Sequence, residues 1–218
     1  MQAASVLLQR ISHSVLILAG LSVCVHSTKA AEVNFETLNT GDTFGMGTHN
    51  PGETMVVQDG ITVRLTNFQL GSFEDFNTVR INGPGTDSFA TKHAFLDNIG
   101  LEFDLNAIAP ITDVFFDYVE GGGDLNFAVN SGPIIELEFE TGGMLSLENH
   151  PDLPPGITAM VDADSVHLSG AISDFLLAGQ ELALDNIVAV PEPTCLVLLA
   201  VGMGAGIYRR RSTKLIAK

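Results

Sequence analysis

Across the middle of the chain, apolar and polar residues alternate with a period of two, in short runs. Ile61, Val63 and Leu65 interleave with Thr62, Arg64 and Thr66, and Leu101, Phe103 and Leu105 with Glu102 and Asp104. Ile135, Leu137 and Phe139 interleave in the same way with Glu136, Glu138 and Glu140. Successive side chains of a strand point to opposite faces, so each run predicts a strand with one dry face and one wet face. Gly, Pro, Asn and Asp separate the runs, as turns require. No stretch combines helical periodicity with caps over more than two turns.

Residues 114–119 and 125–129 flank Gly121-Gly122-Gly123-Asp124, a segment able to supply positive φ, which predicts a hairpin. Residues 144–147 are predicted to form a further strand after the turn Thr141-Gly142-Gly143. The loop 149–155, with three prolines, is predicted to cross between sheets. About ten short strands at regular spacing predict an all-β domain, a jelly-roll-like antiparallel β-sandwich of two sheets. Tyr118 shares the parity of Val114 and Phe116 and is expected in the core.

The two ends of the 218-residue chain read differently. Residues 1–30 carry Arg10, an apolar run from Val15 to Val25, and Thr28 and Ala30 at small-residue positions, the order of a signal peptide cleaved after Ala30 or Ala31. The run is too short for a spanning helix, which needs roughly 20 residues. Leu21-Ser22-Val23-Cys24 approaches a lipobox, but Val23 stands where that motif has a small residue, so lipidation is not expected. Removing both ends leaves residues 31–190, the size of one domain. Both cysteines, Cys24 and Cys195, fall outside it, which excludes a disulfide, a thiol nucleophile and a thiolate metal site.

Charge is concentrated by the same division. Between Glu32 and Val190 the only basic residues are Arg64, Arg80 and Lys92, against 25 of the chain's 26 acids, a net charge of −22. A domain so acidic repels nucleic acid and anionic lipid, so neither is an expected partner. It attracts cations, or the charge only keeps an exported domain soluble.

From Pro191 the chain runs Pro191-Glu192-Pro193, then an apolar segment from Cys195 to Tyr208, then Arg209-Arg210-Arg211. This order resembles the PEP-CTERM sorting signal of Gram-negative bacteria, read by a membrane protease of the exosortase type. The arginines would stay cytoplasmic by the positive-inside rule, leaving Pro191 and Pro193 at the outer face of the inner membrane. The prolines keep the preceding chain extended. The resemblance implies residues 191–218 as a sorting tail with a short transmembrane helix that anchors transiently in the inner membrane. It further implies delivery to the cell surface or the extracellular matrix, with extracellular polysaccharide as a partner.

The domain opens with Val33-Asn34-Phe35-Glu36-Thr37-Leu38 and closes with residues 179–188, which include Asp185. This pairing resembles the adjacent terminal strands of secreted jelly-roll domains of the carbohydrate-binding-module type. Carried over, that resemblance nominates Glu36 and Asp185 as ligands of a structural calcium ion, the other reading being two solvent-facing acids. Calcium takes six to eight oxygens, so carbonyls of residues 39–42 would have to contribute. Asp162-Ala163-Asp164 is no EF-hand, since His167 and Ser173 stand where glycine and glutamate are needed, and it is expected to form a turn.

Glycan-binding sandwiches stack sugars on Trp or Tyr, yet the domain has no Trp and only Tyr118. His49, His93 and His150 read as loop residues and His167 as an outward strand position, without metal-ligand spacing. No serine lies in a Gly-x-Ser-x-Gly elbow, and with 25 acids no carboxylate pair stands out. The expected function is therefore a non-enzymatic adhesion or structural component of the envelope. A calcium-stabilised carbohydrate-binding module is the alternative, and a polysaccharide-active enzyme the second.

Overall fold

The computed structural model describes residues 29–108 and 110–192. The segment expected to be a signal peptide, up to residue 28, together with Pro193, the expected transmembrane segment and Arg209, Arg210 and Arg211, lies outside the described residues. Among those described, no helix is long and apolar enough to cross a membrane.

The domain is all-β and antiparallel, with thirteen strands: β1 (Ala31–Val33), β2 (Thr43–Gly45), β3 (Thr54–Gln58), β4 (Ile61–Leu70), β5 (Phe73–Asp75), β6 (Thr78–Asn82), β7 (His93–Asp97), β8 (Ile99–Asp104), β9 (Ile111–Val129), β10 (Ile135–Leu137), β11 (Thr158–Val161), β12 (Ser165–Ile172) and β13 (Asp174–Pro191). Ile61, Val63 and Leu65 are buried, as are Leu101, Phe103 and Leu105, so the parity of these runs is as the alternation predicts.

The two longest strands organise the rest. β9 lies along one edge of β13 over nearly its whole length, from Phe175 opposite Val129 to Pro191 opposite Ile111. Along the other edge β13 meets β8, then β7, then β1. One branch continues from β8 through β4 to β3, and another from β7 through β6 to β2. β10 pairs with the end of β9, while β12 and β11 extend from its beginning. All thirteen strands thus belong to one hydrogen-bonded network around one apolar core.

Four local expectations are corrected. Residues 114–119 and 125–129 form no hairpin but are parts of one strand, β9. The glycines make bulges instead of a turn: the register shifts around Glu181, which lies opposite Gly122. Gly122 and Gly123 sit at φ 142° and 76°, and a Cβ on Gly123 would stand 2.3 Å from Gln180 Oε1. Glycine there lets β9 bend while Gln180 crosses over it.

Residues 144–147 form a 3₁₀ helix (Gly143–Leu147), not a strand. Met144 and Leu147 are both buried, which three residues per turn allows and the alternating faces of a strand do not. The run from Ile135 stops at Leu137, and Phe139 begins another 3₁₀ turn with 49% of its surface exposed. The opening strand spans Ala31–Val33, so Glu36 lies in the turn that follows. Asp162 and Asp164 lie in the connection between β11 and β12, where Asp162 N–H donates to Ser165 O at 2.9 Å.

Candidate functional site

Strand parity alone generates an outward surface on the β11–β12–β9 side of the domain. Because Val114, Phe116 and Tyr118 point inward, Asp113, Phe115 and Asp117 point outward. On β12 Val166 and Leu168 are buried, so His167 and Ser169 share that outer face. Cross-strand register then aligns Met160, His167, Phe115 and Val188 in one row across four strands.

The row has an aromatic centre. The Phe115 and His167 rings stack with centroids 4.1 Å apart and planes 11° from parallel. Phe115 is 41% exposed and Met160 65% exposed. Beside the stack, Asp113 Oδ1 lies 2.9 Å from His167 Nε2 and accepts from Ser169 Oγ at 3.1 Å. The His167 hydrogen bond is the main cause that holds the Asp113 carboxyl below its ordinary range, against partial burial and with help from Thr112 and Ser169. The imidazole is thereby pinned against the phenyl ring, a pre-ordered flat surface with polar acceptors at its rim.

These three polar residues do not form a nucleophilic relay. Ser169 Oγ and Asp113 Oδ1 both address the same ring nitrogen, His167 Nε2, at 3.0 and 2.9 Å. A Ser-His-Asp relay needs the carboxylate on one nitrogen and the hydroxyl on the other. The outward position of His167 was legible in the sequence. Phe115 was not nominated, although the parity of Val114 and Phe116 already pointed it outward.

The two acids nominated for calcium come to consecutive residues of one segment, each with its own partner. Glu36 Oε1 accepts from the Lys92 backbone N–H at 3.0 Å, and Oε2 lies 3.8 Å from Lys92 Nζ. The same ammonium donates to the carbonyls of Glu36 and Leu38 at 3.0 and 2.9 Å. Lys92 Nζ is thus the cation that Glu36 meets in this structure. Among the described residues no group of three His, Cys, Asp or Glu is arranged to hold a metal ion.

Asp185 is fully buried on β13, where its Oδ2 accepts from Thr91 Oγ1 and its Oδ1 has no hydrogen-bond partner. It lies opposite Asp117 of β9, which is held by Asn186 Nδ2 at 2.7 Å. Next to Thr91, His93 is fully buried at the start of β7, which corrects its expected place in a loop. Its Nε2 lies 3.0 Å from Asp87 Oδ2 and its Nδ1 3.3 Å from Thr91 O.

Burial pushes the Asp185 carboxyl above its ordinary range, against hydrogen bonds from Thr91 and the Asn186 N–H and the charge of His93, and with the repulsion of Asp117. A carboxyl raised on folding stabilises fully below its unfolded value near 3.9 and loses that contribution as pH rises through the folded value. Asp185→Asn is therefore expected to raise the unfolding midpoint at pH 7 relative to the native chain, with the gain shrinking toward pH 4. A native midpoint raised by calcium, with a variant midpoint that is lower at pH 7 and no longer responds to calcium, would instead make Asp185 a metal ligand.

Tyr118 is buried as expected, with its hydroxyl donating to Asp162 O at 2.9 Å. Burial and the nearby acids Glu120, Asp164 and Asp162 push its pKa up to about 12, so it stays a neutral core residue. No family model, no curated protein and no solved structure matches the chain.

Proposed function

We propose that this chain is an exported, non-enzymatic component of the cell surface or extracellular matrix, delivered through its PEP-CTERM tail by an exosortase-type peptidase. Its domain is a jelly-roll-like β-sandwich with β9 and β13 shared between two layers. The branching of β8 and β7 from successive parts of β13 supports that layering. So does the parallel approach of Phe116 and Phe175, which are not register partners, at 5.8 Å.

The observation that carries an adhesive role is the Met160–His167–Phe115 row, an exposed apolar and aromatic surface on a domain whose charge is overwhelmingly negative. The domain's basic residues are engaged internally: Arg64 with Asp104 at 2.9 Å, Arg80 near the Phe95 ring at 5.7 Å, and Lys92 with Glu36 and Leu38. Electrostatic attraction to an anionic partner thus has little to work with, and contact falls to the apolar row.

A second reading is favoured by the Asp113 and Ser169 oxygens at the edge of the Phe115 stack. A flat ring bordered by acceptors suits the apolar face and hydroxyls of a sugar, which makes extracellular polysaccharide the ligand and the domain a carbohydrate-binding module without calcium.

The test is retention of the full chain on purified extracellular polysaccharide and on whole cells, beside Phe115→Ala. Loss of one stacking ring costs about 1 kcal/mol, so retention on the correct partner should fall roughly five- to tenfold while the unfolding midpoint changes little. Equal retention of both proteins would remove this face from the function. For sorting, replacing Arg209, Arg210 and Arg211 by alanine should keep the chain from the cell surface, and unchanged surface delivery would sink the tail reading.

A further inference from the structure

The sorting motif begins inside the folded domain. Pro191, its first residue, is the last residue of β13 and lies opposite Ile111 of β9. The residues just before it are held from both sides: Val188 between Glu32 and Phe115, and Ala189 between Ala31 and Val114. Val190 pairs with Asp113, and its carbonyl accepts from Thr112 Oγ1 at 3.5 Å. Ile187 and Ala189 are fully buried.

We infer that this strand end guards the motif, so that removal of the tail is limited by local opening of β13. The inference rests on the reading of the tail as a sorting signal. A peptidase that grips extended chain upstream of its cleavage point uses that chain's backbone N–H and C=O groups. In residues 188 and 189 those groups belong to ladders with β1 and β9, and one set of donors and acceptors cannot serve both these partners and a peptidase. The peptidase must wait for residues 188–191 to peel away from two neighbours and for Ala189 to leave the core. Strand ends open locally at far lower cost than the whole fold, so the folded domain slows processing without abolishing it.

The position of β1 sharpens the device. Its first residue, Ala31, adjoins the expected signal cleavage point and pairs with Ala189, two residues before Pro191. Both processing points therefore lie at one end of the domain, and docking of β1 closes the second edge of β13. Once the tail is removed, the domain stands on its attachment without a spacer.

The experiment is a pulse-chase of the full chain in a Gram-negative host that has an exosortase-type peptidase, following the shift to the shortened form. One variant carries eight Gly/Ser residues between Val190 and Pro191, which leaves the strand in place and frees the motif. The other, Glu32→Pro, weakens β1 by placing a proline in the middle of that three-residue strand, opposite Val188. The spacer chain should be shortened about fivefold or more faster than the native chain, and Glu32→Pro should fall between them. Equal rates for the native and spacer chains would overturn the guard while leaving the sorting reading intact. Absence of shortening in every chain would overturn both.

Discussion

Phe175→Ala is expected to destabilise the domain by about 3–5 kcal/mol, measured as the shift in denaturant midpoint at constant slope. Phe175 is almost completely buried on β13 and stacks on Phe103 of β8 at 4.6 Å with planes 8° apart. Phe116, from the first half of β9, approaches it at 5.8 Å with planes 10° apart. Phe103 is its cross-strand partner, whereas Phe116 reaches it from a part of β9 that pairs elsewhere. Truncation thus removes both a cross-strand ring pair and a ring contact between strand segments that are not register partners, and leaves a cavity beside the two remaining rings. A loss under about 1 kcal/mol would mean that the site collapses freely. The proposed closure of two layers would then need another origin.

Lys92→Met should lower stability by about 1.5–3 kcal/mol, the range for hydrogen bonds to a charged group, although its aliphatic stem is preserved. The ammonium ties the turn after β1 to the segment before β7, holding Glu36 O and Leu38 O at 3.0 and 2.9 Å. Without it those carbonyls lose their donor and Glu36 loses its counter-charge. Because the cation is part of the chain, chelator and added calcium should leave the native midpoint unchanged. Calcium binding only the native state at 100 times its dissociation constant would add about 2.7 kcal/mol, which thermal unfolding resolves easily. A calcium-dependent midpoint in the native chain, or an unchanged midpoint in Lys92→Met, would refute the role assigned to Lys92.

The misread segments share a physical cause. A glycine run with positive φ serves a hairpin turn or a pair of bulges equally well, and the choice at Gly121-Gly122-Gly123 is made by β13, some sixty residues further on. Had β9 folded back, half of the long edge of β13 would have lost its partner. At Met144 and Leu147 the spacing of three was visible, but the positive φ of Gly142 and Gly143 that starts the 3₁₀ helix was read as the end of a turn into a strand. His93 gave no sign of burial because its partners, Asp87 and the Thr91 carbonyl, belong to the irregular segment before its own strand.

The candidate site divides along the same line. That His167 faces outward follows from Val166 and Leu168, and local alternation carries that information. That its ring lies on Phe115 and is pinned by Asp113 depends on the register between β12 and β9, separated by some fifty residues. Likewise, the terminal strands were expected side by side, and β1 does pair with β13. What each nominated acid touches was decided by the Thr91-Lys92 segment, which no pairing of the two ends could reveal.

By itself the sequence determined the all-β class, the inward and outward parity of most strands, the burial of Tyr118 and the scarcity of cations in the domain, because period and composition are local properties. Only the tertiary structure decided that β9 continues through its glycines as one bulged strand, that Asp185 is buried with one oxygen unpaired, that Lys92 is the cation beside Glu36, and that β13 ends at Pro191. Each of these depends on which distant segments share hydrogen bonds, and backbone donors and acceptors are alike in every residue except proline.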